Sequence, residues 1–358
     1  MKIAQVCALY HPDLGGVATH VREISERMTK DGFEITVLTT DPSNKLLSDE
    51  TINGVKVKRF RSWTPNYAYC ISIGLEKYLK KYFDTFDIVH AHNYHSFPAL
   101  YAAQAKKRSK LVFTPHYHGT GRSLINSLIH KPYRLLGKTI FEKSDRIICV
   151  SDYEKQLVLD HFKPDESNIT VIPNGVDLAE FRYLKKNGKR DYKTVLYVGM
   201  LEKYKGVQYL IEALPKLDGN EILEIVGKGS YKQSLVNLCK KLGVEHRVRF
   251  FQDLPRNELL QRYVAADVVA LLSKYEAFGI VVGEALASKT PCIVANTSAL
   301  RGWVDSESVF GIDYPIDINK LTTLIQDVSR KNVRSPKLLD WSEVAEMTAN
   351  LYSKLVLS

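Results

Sequence analysis

The sequence predicts an α/β protein with two doubly wound parallel sheets of Rossmann type, each covered by helices on both sides. Short β-branched runs alternate with helical patterns almost throughout, the signature of strand–helix–strand units. Many of these runs are apolar without clean alternation, as strands buried on both faces are. Twelve such runs are too many for one sheet of ordinary size. A polar, basic stretch from Leu184 to Asp191 divides them into two groups.

In the first group the strands are expected at 2–9, 33–39, 55–60, 86–91, 110–114, 146–151 and 169–172. In the second they are expected at 193–199, 221–227, 246–251, 267–272 and 290–295. Residues 17–30 read as a helix, with Val17, Val21, Ile24 and Met28 on one face. Trp341 to Leu357 reads as a last amphipathic helix. The domains are therefore placed at 1–178 and 179–340, followed by the helix 341–358. Ligands of open parallel sheets sit at the carboxyl ends of the strands, so the chain is expected to work in a cleft between its halves.

Composition excludes several classes. The chain has 358 residues, 45% hydrophobic and 25% charged, which suits globular domains. No apolar stretch of about 18 residues exists to cross a membrane. The first residues read as a buried strand rather than a signal peptide. Cys7, Cys70, Cys149, Cys239 and Cys292 include no C-x-x-C pair and read as reduced core cysteines of a cytoplasmic protein. The net charge is +10 and uneven. Residues 106–146 hold ten Lys or Arg against Glu142 and Asp145 alone. Such a field attracts phosphates, anionic lipids or nucleic acid, or is simply a solvated surface. No nucleic-acid-binding module accompanies it, so no nucleic-acid partner is expected.

The loops after strands carry the candidate chemistry. Gly15 and Gly16 open the first helix, where backbone can approach a ligand and free N–H groups can meet an anion. An ordinary strand-to-helix turn explains them equally well. His90 and His92 end one strand, and His116 follows the next. Neighbouring strands would bring these imidazoles to one rim, for a polar substrate contact or a structural role. A metal would need a converging third ligand, and the spacing supplies none. No metal site is therefore expected.

In the second half, Gly199 to Gly206 and Gly227-Lys228-Gly229 are tight turns after strands. Lys205 can place an ammonium on a phosphate there. The stretch Glu276-Ala277-Phe278-Gly279-Ile280-Val281-Val282-Gly283-Glu284 is more telling. Gly279 reads as a loop end and Ile280 as a helix start, with a carboxylate on each side. Free N–H groups at a helix start suit a pyrophosphate, and carboxylates suit sugar hydroxyls. A glycosidase pair fits less well, because hydrolysis has no use for a phosphate-binding helix start. Glu284 stands among apolar residues, which is a poor place for a merely solvated glutamate.

Together these residues resemble the large family of retaining glycosyltransferases with two Rossmann-like domains, the GT-B fold. The landmarks run in the family's order: Gly15-Gly16, His116, Pro173 to Asp177, Gly199 to Gly206, Gly227 to Gly229, and Glu276 to Glu284. The resemblance implies an acceptor-binding first domain, a donor-binding second domain and a last helix crossing back to the first. It implies that Glu276 holds the donor sugar's hydroxyls, with backbone N–H groups of Phe278, Gly279, Ile280 and Val281 on sugar and phosphate. Glu284 would bind the ribose and Lys205 the leaving diphosphate. Gly16 would approach the diphosphate, and His116 would contact the sugar near the reacting carbon. The donor would be a UDP-, GDP- or ADP-sugar carrying a hexose, with no cofactor and no divalent metal, in keeping with the lack of a D-x-D motif.

One departure stands out. Relatives usually carry Arg where this chain has Met200, and Lys203 or Lys228 is expected to supply part of the missing charge. The acceptor is expected to be a sugar or a lipid-linked molecule in glycolipid, cell-surface polysaccharide or glycoprotein-glycan assembly. Residues 122–141 alternate basic and apolar groups, as a helix on the inner face of a membrane would; core packing with solvated lysines is the competing reading. Other readings are a sugar-nucleotide epimerase of the same fold and a sugar-nucleotide-binding protein without turnover.

Overall fold

The computed structural model describes residues 1–12, 15–64, 69–119, 136–186, 191–329, 331, 333 and 338–357. The chain forms two compact units, Met1–Gly175 with Trp341–Ser358, and Val176–Asp340.

The first unit holds an eight-stranded sheet. Its strands are β1 (Lys2–Val6), β2 (Glu34–Asp41), β3 (Asp49–Ile52), β4 (Val55–Arg61), β5 (Ile88–His92), β6 (Lys110–Thr114), β7 (Arg146–Cys149) and β8 (Ile169–Val171). The spatial order is β3-β4-β2-β1-β5-β6-β7-β8. All pairings are parallel except β3 with β4.

That exception is a strand absent from the sequence reading. Ile52 pairs with Val55 across a two-residue turn, Asn53-Gly54, with φ of 48° and 84°. Two consecutive positive φ angles define the hairpin turn whose twist matches the strands, and Asn-Gly is its favoured pair. The signal was therefore in the sequence. Asp49 and Glu50 of this edge strand pair with Lys58 and Arg59.

The helix Gly16–Lys30 buries Val21, Ile24 and Met28 against this sheet. The last helix, Trp341–Leu357, belongs to the same unit and packs along Gly16–Lys30. It buries Trp341, Val344, Ala345, Thr348, Tyr352 and Leu355, a stripe of helical spacing.

The second unit holds a six-stranded parallel sheet in the order β11-β10-β9-β12-β13-β14. Its strands are β9 (Lys193–Val198), β10 (Glu221–Val226), β11 (Val248–Phe251), β12 (Val268–Leu271), β13 (Cys292–Ala295) and β14 (Val309–Ile312). The edge strand β14 is also absent from the sequence reading. It is four residues long and contains Gly311, too short to stand out as an apolar run. Val195, Leu196, Leu223, Ile225, Val269 and Ile293 form the heart of this unit's core.

All five cysteines are buried and free. The basic amphipathic helix expected at 122–141 falls largely outside the described residues; 136–143 are helical. Among the described residues, no helix is long and apolar enough to cross a membrane.

Candidate functional site

In the second unit the loops after β9, β10 and β12 meet. Lys205 ends a short helical turn, Lys203–Lys205, after β9. Gly206 follows with φ of 78°, and a Cβ there would stand 2.3 Å from the Leu272 carbonyl oxygen. The Lys274 amide donates to the Tyr204 carbonyl at 2.8 Å. These contacts clamp the lysine turn onto the loop that carries Glu276. Lys205 Nζ accordingly lies 2.5 Å from Glu276 Oε1, with both side chains mostly buried. The Glu276 backbone is fixed in turn: its amide donates to Ser298 Oγ at 3.1 Å and its carbonyl accepts from Ala299.

Gly279 precedes the helix Ile280–Ala287 with φ of 97°, and no side chain caps that helix start. The Val282 amide donates to the Gly279 carbonyl at 2.9 Å, while the Ile280 and Val281 amides ahead of it keep their capacity for a ligand's oxygens. Trp303 Nε1 donates to the Phe278 carbonyl at 2.8 Å, and the two rings meet edge to face. Val281 lies one residue further along the same turn.

Glu284 occupies the next turn and is buried. Arg256 Nη1 donates to its Oε1 at 2.6 Å, and the Tyr263 hydroxyl donates to its Oε2 at 2.7 Å. Burial, followed by the neighbouring Glu284 charge, holds the Tyr263 phenol well above its ordinary range. Arg256 also clamps Glu180 through Nε and Nη2. A carboxylate has about four lone-pair sites, so Glu284 retains capacity for a hydroxyl donor.

The glycines after β9 and β10 serve packing directly. A Cβ on Gly227 would come within 1.8 Å of the Gly199 carbonyl oxygen, and one on Gly229 within 2.3 Å of the Leu201 carbonyl oxygen. Met200 is 44% exposed, and its carbonyl accepts from the Tyr197 hydroxyl at 2.7 Å. Of the two lysines expected near it, Lys228 pairs with Asp253 at 3.2 Å on the surface. Lys203 lines a cavity of about 440 Å³ with Gln208, Tyr209 and Lys241.

In the first unit, Gly15 and Gly16 are exposed at the start of Gly16–Lys30, which has no side-chain cap. Among the described residues, a Cβ on Gly15 would meet nothing within 4 Å. His116 follows β6 with φ of 49°, and its Nε2 is buried without a partner among the described residues. His90 and His92 point to one side of β5, as alternate strand residues must. His90 bonds Tyr352 through Nδ1 at 2.5 Å and Thr114 through Nε2 at 2.8 Å. His92 Nε2 meets Gln5 Oε1 at 2.7 Å. The third imidazole that strand spacing does not supply comes from a helix. His20, one turn into Gly16–Lys30, brings a ring nitrogen within 4.8 Å of ring nitrogens of His92 and His116.

Sequence reasoning thus missed His20, Arg256 and Tyr263. Only for His20 was there a signal, its position four residues past Gly16 on a helix opening at the strand ends.

Two Rossmann-like units of this kind, with ligand-suited loops at their strand ends, define the GT-B class of glycosyltransferases. The family models for Glycosyltransferase Family 4 and Glycosyl transferases group 1 match residues 14–180 and 180–345. An uncharacterized glycosyltransferase of Methanocaldococcus jannaschii is 30% identical, over 98% of both chains. Sucrose-phosphate synthase from Thermosynechococcus elongatus superposes with a TM-score of 0.83 at 22% identity, covering 99% of this chain and 98% of that one. HepE from Anabaena, solved with UDP and glucose, superposes with a TM-score of 0.80 at 19% identity, covering 99% and 100%. The chain belongs to the GT-B glycosyltransferases of the family 4 type.

Proposed function

We propose that this protein moves a hexose from a nucleoside diphosphate sugar to an acceptor hydroxyl, with retention at the anomeric carbon and without a divalent metal. The observation that carries the reading is the Lys205–Glu276 pair beside an uncapped helix start. An ammonium and free backbone N–H groups suit a diphosphate, and a carboxylate suits sugar hydroxyls. An arriving diphosphate would share the Lys205 ammonium, which has three protons to donate, and free Glu276 for the sugar. Glu284 then takes the ribose on its remaining lone pairs. His116 touches the sugar, and Gly15-Gly16 lets the diphosphate approach.

In the transfer step the bond from the anomeric carbon to the phosphate oxygen breaks as the bond to the acceptor oxygen forms. The acceptor proton passes to the departing phosphate oxygen. Charge develops on that phosphate, so a fixed cation lowers the barrier there. With Met200 at the usual arginine position, Lys205 carries most of this duty, and Lys203 or Lys228 supplies the rest. Unchanged donor affinity and turnover in both Lys203→Ala and Lys228→Ala would rule out that compensation.

The acceptor is read as a glycan or lipid-linked molecule met at the inner membrane face, through the basic segment 106–146. Part of that charge is already engaged: Lys106 pairs with Asp145, and Lys138 with Glu142. Sedimentation with anionic liposomes at low salt tests the membrane contact, and no binding removes it.

The donor is tested by thermal-shift screening with UDP, GDP, ADP and their sugars in the presence of a chelator. A ligand that binds only the folded state stabilises it by mass action. HepE's complex with UDP and glucose makes UDP-glucose the first to try. A matching donor should raise the melting temperature and yield a product of unchanged anomeric configuration. Stabilisation by no nucleotide sugar, or an inverted product, would refute the reading.

A further inference from the structure

We propose that His20, His92 and His116 form a three-histidine site for a transition-metal ion of the zinc class. One nitrogen from each ring lies within 4.8 Å of the others. The ring centroids are 5.0 Å apart for His20 and His116, 5.4 Å for His20 and His92, and 5.9 Å for His92 and His116. Zinc binds imidazole nitrogen at about 2.0–2.1 Å, so side-chain rotations that move each ring nitrogen by about an ångström close the set.

The surroundings fix which nitrogens of His20 and His92 carry the lone pairs. His20 Nδ1 lies 2.7 Å from Asn174 Oδ1, an acceptor, so Nδ1 carries the proton and Nε2 the lone pair. His92 Nε2 lies 2.7 Å from Gln5 Oε1, which places its lone pair on Nδ1. Gln5 is itself oriented, because its Nε2 donates to the Tyr352 hydroxyl at 3.3 Å. That hydroxyl in turn donates to His90 Nδ1, and His90 Nε2 donates to Thr114. Metal-bound histidines typically donate their outer N–H to a carbonyl or carboxylate in this manner.

Two nitrogens of these rings, His92 Nδ1 and His116 Nε2, are buried and have no hydrogen-bond partner among the described residues. Buried polar atoms are rarely left so, and a cation would satisfy them together. Burial also keeps the three rings neutral, the form that binds metal: it lowers His20 to about 4 and holds His92 and His116 well below the usual histidine range. With nitrogen donors alone, the set suits zinc, copper, nickel or cobalt rather than magnesium or calcium. Three histidines leave a fourth position for water or a substrate atom. The site is thus distinct from a magnesium–diphosphate site; it shares His116 with the proposed transfer reading, so its test reads metal binding and not transfer.

The test uses the full chain stripped of metal with a chelator. Zn(II) is titrated by calorimetry, and Co(II) by the visible absorption of a tetrahedral ion. One equivalent should bind. His20→Ala and His92→Ala should abolish that equivalent, and Asn174→Leu should weaken it by roughly 10–100-fold. X-ray absorption of the zinc-loaded wild type needs no variant and should count three imidazoles at about 2.0 Å. Failure of the wild type to bind, wild-type affinity in both histidine variants, or fewer than three imidazoles would each overturn the proposal.

Discussion

Lys205 Nζ and Glu276 Oε1 stand 2.5 Å apart, joining two loops separated by 71 positions in the chain. The pair is mostly shielded from water, so each charge depends on the other. Glu276→Gln and Lys205→Met should each lower kcat/KM for transfer by about 100-fold or more, as loss of a transition-state electrostatic contact does. A double-mutant cycle on thermal stability should show a coupling of about 1–2 kcal/mol between them. Near-normal transfer in Glu276→Gln would remove the site assignment.

The Glu284 cluster separates folding from binding. Tyr263→Phe removes one hydrogen bond to a buried carboxylate and should cost about 1 kcal/mol. Nucleotide affinity should be unaffected. Glu284→Ala should cost about 2 kcal/mol, less than a fully buried pair because Arg256 is 38% exposed and keeps Glu180. It should also weaken nucleoside binding. Equal nucleotide affinities in Glu284→Ala and wild type, measured by calorimetry, would leave Glu284 a purely structural residue.

Gly227 tests packing. An added methyl would overlap the Gly199 carbonyl oxygen, so the two loops must part. Gly227→Ala should lose about 3 kcal/mol in urea unfolding. A melting temperature equal to that of the wild type would show that the loops separate freely.

Glu154 gives the first unit a pH dependence. Its fully buried carboxyl is pushed up to about 8 by burial, against the pull of two backbone donors, Val150 and Tyr117. An unfolded glutamate ionises near its ordinary value of about 4.3. Between the two values the unfolded chain binds fewer protons than the native one, so stability falls as pH rises. Glu154→Gln cannot ionise, and its stability should decline less over that window. Urea unfolding from pH 4.5 to 8.5 checks this, and parallel curves for the two proteins would contradict it.

Much of the fold could be read from residue order, because strands of a parallel sheet are short apolar runs between helices. What escaped was local or long-range. The Asn53-Gly54 hairpin was readable but lay beside polar residues of β3 that do not look like a strand. Lys205 and Glu276 each stood out as a residue after a strand, yet their pairing depends on Gly206 seating against the Leu272 carbonyl. Arg256 and Tyr263 converge on Glu284 from one helix, as positions seven apart on a helix face can, but nothing in their order names the target. His20 reached the imidazole group only through helix placement over the sheet.

The helix Trp341–Leu357 also imposes an order of events during synthesis. Gln5 and His90 leave the ribosome early, but the Tyr352 hydroxyl that both contact is translated more than two hundred residues after His90. Until then the first unit holds an incomplete polar core. A released chain ending at Asp340 should therefore be cleaved by protease within residues 1–175, whereas residues 176–340 resist.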